Sequence, residues 1–131
     1  MTEQYHLDVL RQGIDVWNQW RQEHHSILPD FSAMDFRGAQ LSRVNLSGAR
    51  LNGADLSRAD LKESLLIRAD LSEAILSRTN LVRADLQGAN LRAAILSNAN
   101  LSDAILSDAV LSDADLSQAH LSTADLSGAE L

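Results

Sequence analysis

Residues 54–62 read Ala-Asp-Leu-Ser-Arg-Ala-Asp-Leu-Lys. A unit of five residues begins at Ala54 and starts again at Ala59, and this repeating unit decides the fold. A leucine or phenylalanine falls on every fifth position from Phe31 to Leu131 without interruption. Two residues before each of these positions stands a small or apolar residue, which is usually alanine. The other three positions are mostly Asp, Asn, Ser, Arg and Gly. Each unit therefore has two positions suited to a core and three suited to water.

A period of five fits neither of the common regular elements. In an α-helix five residues advance about 500°, so successive leucines would drift by about 140° and form no apolar face. In a flat strand a step of five would send successive leucines to opposite faces. All leucines can point inward only if the chain bends after each short extended piece. The sequence therefore predicts a coil with a turn at every fifth residue, stacked on its neighbours as a solenoid.

The charge pattern favours four sides in each coil, one for each five-residue unit, which makes a coil of 20. At that spacing two columns of stacked residues alternate in sign. They are Arg43, Glu63, Arg83 and Asp103, and Asp30, Arg50 and Asp70. A coil of 15 would stack like charges, with Arg58 over Arg43. The coil of 20 is not free of such contacts either, because it places Arg78 over Arg58. Opposite charges across strands contribute only about 0.2–1 kcal/mol each, so this pattern is a hint rather than a proof.

Residues 54–58, 69–73 and 124–128 resemble the A(D/N)LXX unit of the pentapeptide-repeat family. Members of that family fold as a right-handed quadrilateral β-helix with four pentapeptides per coil. The resemblance therefore implies an all-β solenoid of this kind with about five coils. The departures from the motif all stand at inward positions. They are Phe31, Met34, Phe36, Val44, Ser64 and Thr79.

The segment 1–30 follows a different period. Leu7, Leu10, Ile14 and Trp17 fall at steps of three and four. This spacing predicts one amphipathic helix from about Glu3 to His25. We expect it to cap the first coil, because the end of a solenoid exposes core and unpaired strand edges. The alternatives are a partner-binding and a membrane-surface helix, and the acidic polar face argues against the membrane. The expected domains are a capping helix and linker at 1–30 and a β-helix at 31–131.

Composition restricts where the protein works and what it binds. Its 131 residues allow one domain, and with no cysteine it has no disulfide or thiolate metal site. A polar start and the lack of a long apolar run predict neither a signal peptide nor a membrane span, which favours the cytoplasm. Residues 93–131 hold six acids and no Lys or Arg, within a net charge of −7. Direct binding to nucleic acid or anionic membrane is therefore not expected.

The sequence offers no arrangement typical of catalysis. The four histidines, His6, His24, His25 and His120, include no pair at i, i+4 spacing, so we expect surface histidines rather than a metal site. The repeat glycines fall two residues after the central leucine, where they predict a turn and not a phosphate loop. The serines that follow leucine also suit a turn. We therefore expect no enzyme activity, no metal and no cofactor.

Outward positions that break the polar rule are the candidates for function. Leu65, Ile67, Ile75, Ile95 and Ile105 are apolar where the repeat is otherwise polar. In a coil of 20, Leu65 and Ile67 share one face with Ile105, and Ile75 stacks with Ile95 on the opposite face. Such pairs also stiffen a sheet, but a stacked apolar group is typical of a protein-binding surface. The sequence predicts a non-catalytic interaction or structural scaffold of bacterial type, with an unidentified protein partner.

An alternative function follows from the family resemblance. Some pentapeptide-repeat proteins resemble B-form DNA in width and charge and bind DNA gyrase or a related topoisomerase. The acidic residues that motivate this alternative are Asp103, Asp108, Asp113 and Asp115. The first three recur every five residues and so fall on successive faces of a coil. A DNA mimic would instead present one long acidic face.

The last repeat stops at Leu131, on an inward position. The final coil could fray, pair with the same end of another copy, or continue in a longer protein. We expect a homodimer through this uncapped end, because a two-fold contact hides both edges. High salt should promote the dimer, because it screens the repulsion among the C-terminal acids.

Overall fold

The computed structural model describes residues 3–131. Helix α1 spans Glu3–Arg11 and helix α2 spans Ile14–Glu23. From Asp30 onward every fifth residue forms an isolated parallel β-bridge with the residue four units later, from Asp30↔Arg50 to Val110↔Glu130. No longer strand is assigned within the described residues, since the chain turns after each bridge. The bridges confirm that each coil consists of four units.

The core is a column of inward leucine and alanine side chains. The central leucines from Leu46 to Leu106 are almost completely buried, and so are most of the preceding alanines. Backbone hydrogen bonds join each coil to the next: the Leu56 N–H donates to Ile75 O at 2.7 Å, and the Ile75 N–H donates to Ala54 O at 2.9 Å. Burying each leucine contributes about 1.5–3 kcal/mol, so the column is the main source of stability.

The charge columns predicted from the sequence form ion pairs at their first step. Arg43 Nη2 lies 3.9 Å from Glu63 Oε1, and Arg50 Nη1 lies 3.8 Å from Asp30 Oδ2. All four side chains remain substantially exposed to solvent. Exposed pairs of this kind contribute about 0–1 kcal/mol, so they assist the register without determining it.

Every turn contains one residue in the left-handed conformation. The second residue after each central position has φ between 56° and 71°, from Ala33 to Gly128. Glycine occupies only some of these positions; Arg58, with φ 60°, is typical of the others. A side chain in this region costs about 1–2 kcal/mol. A local hydrogen bond offsets part of that cost: the Ser57 N–H donates to Asp55 Oδ1 at 3.0 Å.

The prediction of one helix from Glu3 to His25 is wrong, because the chain folds back at Gly13. Gly13 has φ 115° and ψ 163°, a conformation that other residues rarely adopt. The rings of Tyr5 and Trp20 therefore lie 6.1 Å apart. In one continuous helix these residues would be separated by about 22 Å. Folding back places apolar residues of both helices against the repeats. Neither described helix is long and apolar enough to cross a membrane.

Side chains of α2 bond to backbone groups of the first coil. Trp17 Nε1 donates to Asn45 O at 2.8 Å, and the Asn45 N–H donates to Asn18 Oδ1 at 2.8 Å. Arg21 Nη2 donates to Ser47 O at 2.8 Å. Within the solenoid the equivalent groups bond to the preceding coil, as the Arg50 N–H does with Pro29 O. Helix α2 therefore supplies bonds that a preceding coil would otherwise provide.

Candidate protein-interaction surface

Two columns of bridge residues carry the apolar side chains in question. The Ile75–Ile95 face is the column Asp35, Asp55, Ile75, Ile95 and Asp115. The Leu65–Ile105 face is the column Asn45, Leu65, Asp85, Ile105 and Asp125. The two columns are two units apart in a coil of four units, so they occupy opposite sides of the coil. The register thus places both columns where the sequence predicted them.

The two faces differ in whether their apolar side chains adjoin. Ile75 and Ile95 are bridge partners and stack directly. Leu65 and Ile105 are separated by Asp85, which bridges to both. Leu65, Ile95 and Ile105 are 39%, 38% and 39% exposed, whereas Ile75 and Ile67 are half-buried. Only the Ile75–Ile95 face therefore has a contiguous apolar pair at its centre.

A turn hydrogen bond explains why Asp and Asn dominate the bridge positions. Their Oδ1 atom accepts from the N–H two residues later, as in Ser117 N–H to Asp115 at 2.9 Å and Ser102 N–H to Asn100 at 3.1 Å. Isoleucine cannot accept, so the equivalent N–H groups of Ser77 and Ser97 have no acceptor among the described residues. Sequence reasoning missed this cost, although the recurring Asp/Asn-Leu-Ser pattern contains the signal.

Carboxylates border the apolar pair at both ends of its column. Asp55 precedes Ile75 and Asp115 follows Ile95. The hydrogen bond from the Ser117 hydroxyl, with a second from its N–H, lowers the pKa of Asp115. Further along, the bond from Arg37 lowers the pKa of Asp35 to about 2. The surface is therefore an apolar centre with an aspartate at each end.

The acids of the DNA-mimic alternative do not lie on one side. Asp103, Asp108 and Asp113 occupy three successive turns, each exposed and with φ between 60° and 62°. Asp115 instead lies on the Ile75–Ile95 face. Asp103 also accepts a hydrogen bond from the Thr123 hydroxyl. The structure thus distributes these carboxylates around the coil and does not bring them together.

His6 is not the surface residue that the sequence predicted. It is 5% exposed, with its ring 5.2 Å from that of Trp20 and 6.5 Å from that of Phe31. His24 is half-buried and stacks on Trp20, while His25 and His120 are exposed. Within residues 3–131, no group of three His, Asp or Glu side chains is arranged to hold a metal ion.

The final coil is less buried than those before it. Leu116, Leu121 and Leu126 are half-buried, and Leu131 is 80% exposed. The expected homodimer through this coil stays a prediction.

The match to a known family covers the whole repeat region. The model for pentapeptide repeats, in eight copies, matches residues 30–63, 54–92, 64–103 and 104–131. The chain belongs to the pentapeptide-repeat family. Nothing in that match indicates an enzyme family. A sequence comparison with curated proteins finds no match.

Solved structures of other pentapeptide-repeat proteins are similar to this chain. Rfr23 from the cyanobacterium Cyanothece 51142 is 35% identical with a TM-score of 0.66, over 79% of this chain and 65% of Rfr23. A pentapeptide repeat protein from Nostoc Pcc 7120 is 38% identical with a TM-score of 0.64, over 71% of this chain and 77% of that one. QnrB1, a plasmid-mediated fluoroquinolone resistance protein, is 26% identical with a TM-score of 0.55, over 77% of this chain and 61% of QnrB1. The chain thus spans just under two thirds of Rfr23.

Proposed function

We propose that this protein is a non-catalytic interaction scaffold that binds a protein partner through the Ile75–Ile95 face. In this proposal the repeats form a right-handed quadrilateral β-helix of about five coils, and the two N-terminal helices cap it. The observation that carries the proposal is the stacked isoleucine pair at positions where Asp or Asn would complete the turn. Family membership supports the scaffold, because it indicates no enzyme.

Energetic arguments favour a binding surface over a purely structural pair. Each isoleucine forgoes a turn hydrogen bond worth about 0.5–1.5 kcal/mol. Ile95 remains 38% exposed, so the free protein does not recover the full benefit of burying it. Full burial of an isoleucine side chain contributes about 1.5–3 kcal/mol, and a partner that covers both side chains would gain part of this free energy for each. The carboxylates of Asp55 and Asp115 at the ends of the pair supply a polar rim.

The test uses Ile75→Asn with Ile95→Asn, because asparagine restores the missing acceptors. Asn80 already accepts from the Val82 N–H at 3.0 Å. We expect a melting temperature equal to or above that of the native protein. Capture of a partner from host lysate, identified by mass spectrometry and reconstituted with purified proteins, should be lost.

The matched control is Leu65→Asn with Ile105→Asn, which makes the same chemical change on the Leu65–Ile105 face. This control should retain the partner at native affinity. Equal binding by all three proteins would remove the Ile75–Ile95 face from consideration, and loss only in the control would move the site to the opposite face.

Some pentapeptide-repeat proteins bind DNA gyrase or a related topoisomerase as DNA mimics, and the C-terminal acids favour this as a second candidate function. The likeness to QnrB1, a plasmid-mediated fluoroquinolone resistance protein, is at 26% identity. The placement of Asp103, Asp108 and Asp113 on successive turns gives this candidate less support. Inhibition or protection of gyrase supercoiling would test it. The effect should disappear in Asp103→Asn with Asp113→Asn and persist in the isoleucine variant. Unchanged supercoiling at micromolar protein would end this candidate.

A further inference from the structure

An open groove of about 480 Å³ lies between helices α1 and α2. Tyr5 and Val9, four residues apart, line it from α1, and Val16, Trp20 and Glu23 line it from α2. Spacings of three and four place each set on one side of its helix, so the groove runs along the helix pair. From Val16 to Glu23 it extends about 10 Å, or two helical turns.

The groove has an apolar floor with apolar walls that remain in water. Val9 and Trp20 form the floor and are each 6% exposed. Tyr5 and Val16 rise beside them and are 42% and 44% exposed, among the most exposed large apolar side chains of the described residues. Two such residues on one groove form a surface that a partner helix could cover.

The charge of the rim selects the kind of partner. Asp15 and Glu23 line the groove together with two glutamines, and no Lys, Arg or His of the described residues does so. Arg21, although on α2, does not line the groove: it donates to Ile27 O in the linker and to Ser47 O in the first coil. The rim is therefore negative at neutral pH, which favours a cationic partner and opposes an acidic one.

We propose that this groove binds a basic amphipathic helix of a partner protein. Apolar side chains of that helix at i and i+4 would cover Val9 and Val16. Lysine or arginine side chains flanking its apolar stripe would approach Asp15 and Glu23. The site is separate from the Ile75–Ile95 face and does not depend on the function proposed for it.

The probe is a labelled amphipathic peptide of leucine and lysine, four helical turns long, titrated with the full chain and followed by fluorescence anisotropy at low salt. A peptide of the same pattern with glutamate in place of lysine is the charge control. We expect the lysine peptide to bind and the glutamate peptide not to bind. Asp15→Asn with Glu23→Gln should weaken binding about tenfold. Val16→Asn should also weaken it, although the charge is unchanged.

The matched control is Asp115→Asn with Asp125→Asn, which alters the net charge equally. Asparagine at these positions can still accept the turn hydrogen bonds of Ser117 and Ser127. This control and Ile75→Asn/Ile95→Asn should bind the lysine peptide as the native protein does. Helical circular dichroism confirms that each variant is folded. Three results would overturn the proposal. They are an equal loss of peptide affinity in Asp15→Asn/Glu23→Gln and in Asp115→Asn/Asp125→Asn, equal binding of the two peptides, and no binding of the lysine peptide.

Discussion

At the residue scale, two inward hydroxyls have different surroundings. Thr79 Oγ1 donates to Leu56 O at 2.7 Å. Ser64 Oγ is equally buried but has no hydrogen-bond partner among the described residues. An unsatisfied buried hydroxyl costs about 1–3 kcal/mol. The same substitution to alanine, which the repeat prefers, should therefore act in opposite directions at the two sites.

We expect Ser64→Ala to raise the free energy of unfolding by about 1 kcal/mol, because it removes an unpaired polar group. Thr79→Ala should lower it by about 1 kcal/mol, because it removes a satisfied hydrogen bond and a buried methyl group. Urea titration of both variants measures the difference. A loss of stability in Ser64→Ala would show that its hydroxyl has a partner, such as a buried water.

His6 gives the protein a pH dependence in a range where few other groups titrate. Burial is the main cause that lowers its pKa, with Arg21 acting in the same direction and Asp30 and Glu3 opposing it. The folded state therefore prefers neutral His6, whereas the unfolded chain takes up a proton near pH 6.5. Stability from this residue is complete above about pH 6.5 and is lost as the pH falls below that value.

We expect the free energy of unfolding to decrease between pH 7.5 and pH 5, and His6→Phe to reduce that decrease. Chemical denaturation across this interval measures the effect. His120→Gln, at an exposed histidine, is the control and should keep the native profile. Identical profiles for all three proteins would contradict the assignment to His6.

At the element scale, the turn conformation determines what substitution costs. Gly53 has φ 70°, and a Cβ added there would meet no atom within 4 Å. Gly53→Ala should therefore cost about 1 kcal/mol through backbone strain alone. Ala93, with φ 57°, offers the reverse change, and Ala93→Gly should cost nothing or stabilise slightly. Thermal denaturation of the two variants compares them. Equal destabilisation by both would show that strain does not dominate these turns.

Sequence alone predicted the repeating element well, because every unit carries the same signal. Leucine at every fifth position predicted the inward positions. The column Arg43, Glu63, Arg83 and Asp103 and the family resemblance favoured the four-unit coil, which the bridges then confirmed. The break at Gly13 was missed because the 3.6-residue period continues on both sides of it. For the site, the sequence located Ile75 and Ile95 on one column. The turn bond that they forgo, and the burial of His6, depend on contacts that periodicity does not specify.

At the scale of the whole molecule, backbone pairing is uneven along the solenoid. The leucine N–H groups from Leu41 to Leu111 each donate to a carbonyl of the following coil. Those of Leu116, Leu121 and Leu126 have no acceptor within the described residues. We expect amide hydrogen exchange to be slow for the former and fast for the latter in dilute protein.

The same measurement examines the predicted homodimer. Protection of Leu116, Leu121 and Leu126 should increase with protein concentration and with salt if copies pair through this coil. Fast exchange that does not change with concentration would contradict the dimer.

Because each bridge joins residues four units apart, inserting whole units would change which residues share a face but would not change the fold. Duplicating residues 84–88 would keep every later leucine inward, because this segment is one complete unit. It would also advance everything after it by one side of the coil. Ile95 would then lie over Asn80, and Ile75 would lie beneath the residue that is now Asn90. An insertion of four units, one whole coil, would instead leave every later residue in its original column. Inserting a single unit in this protein therefore rotates all later residues by a quarter of a coil relative to the earlier ones. Such an insertion can remove or create a binding face while leucine and alanine still fill the core.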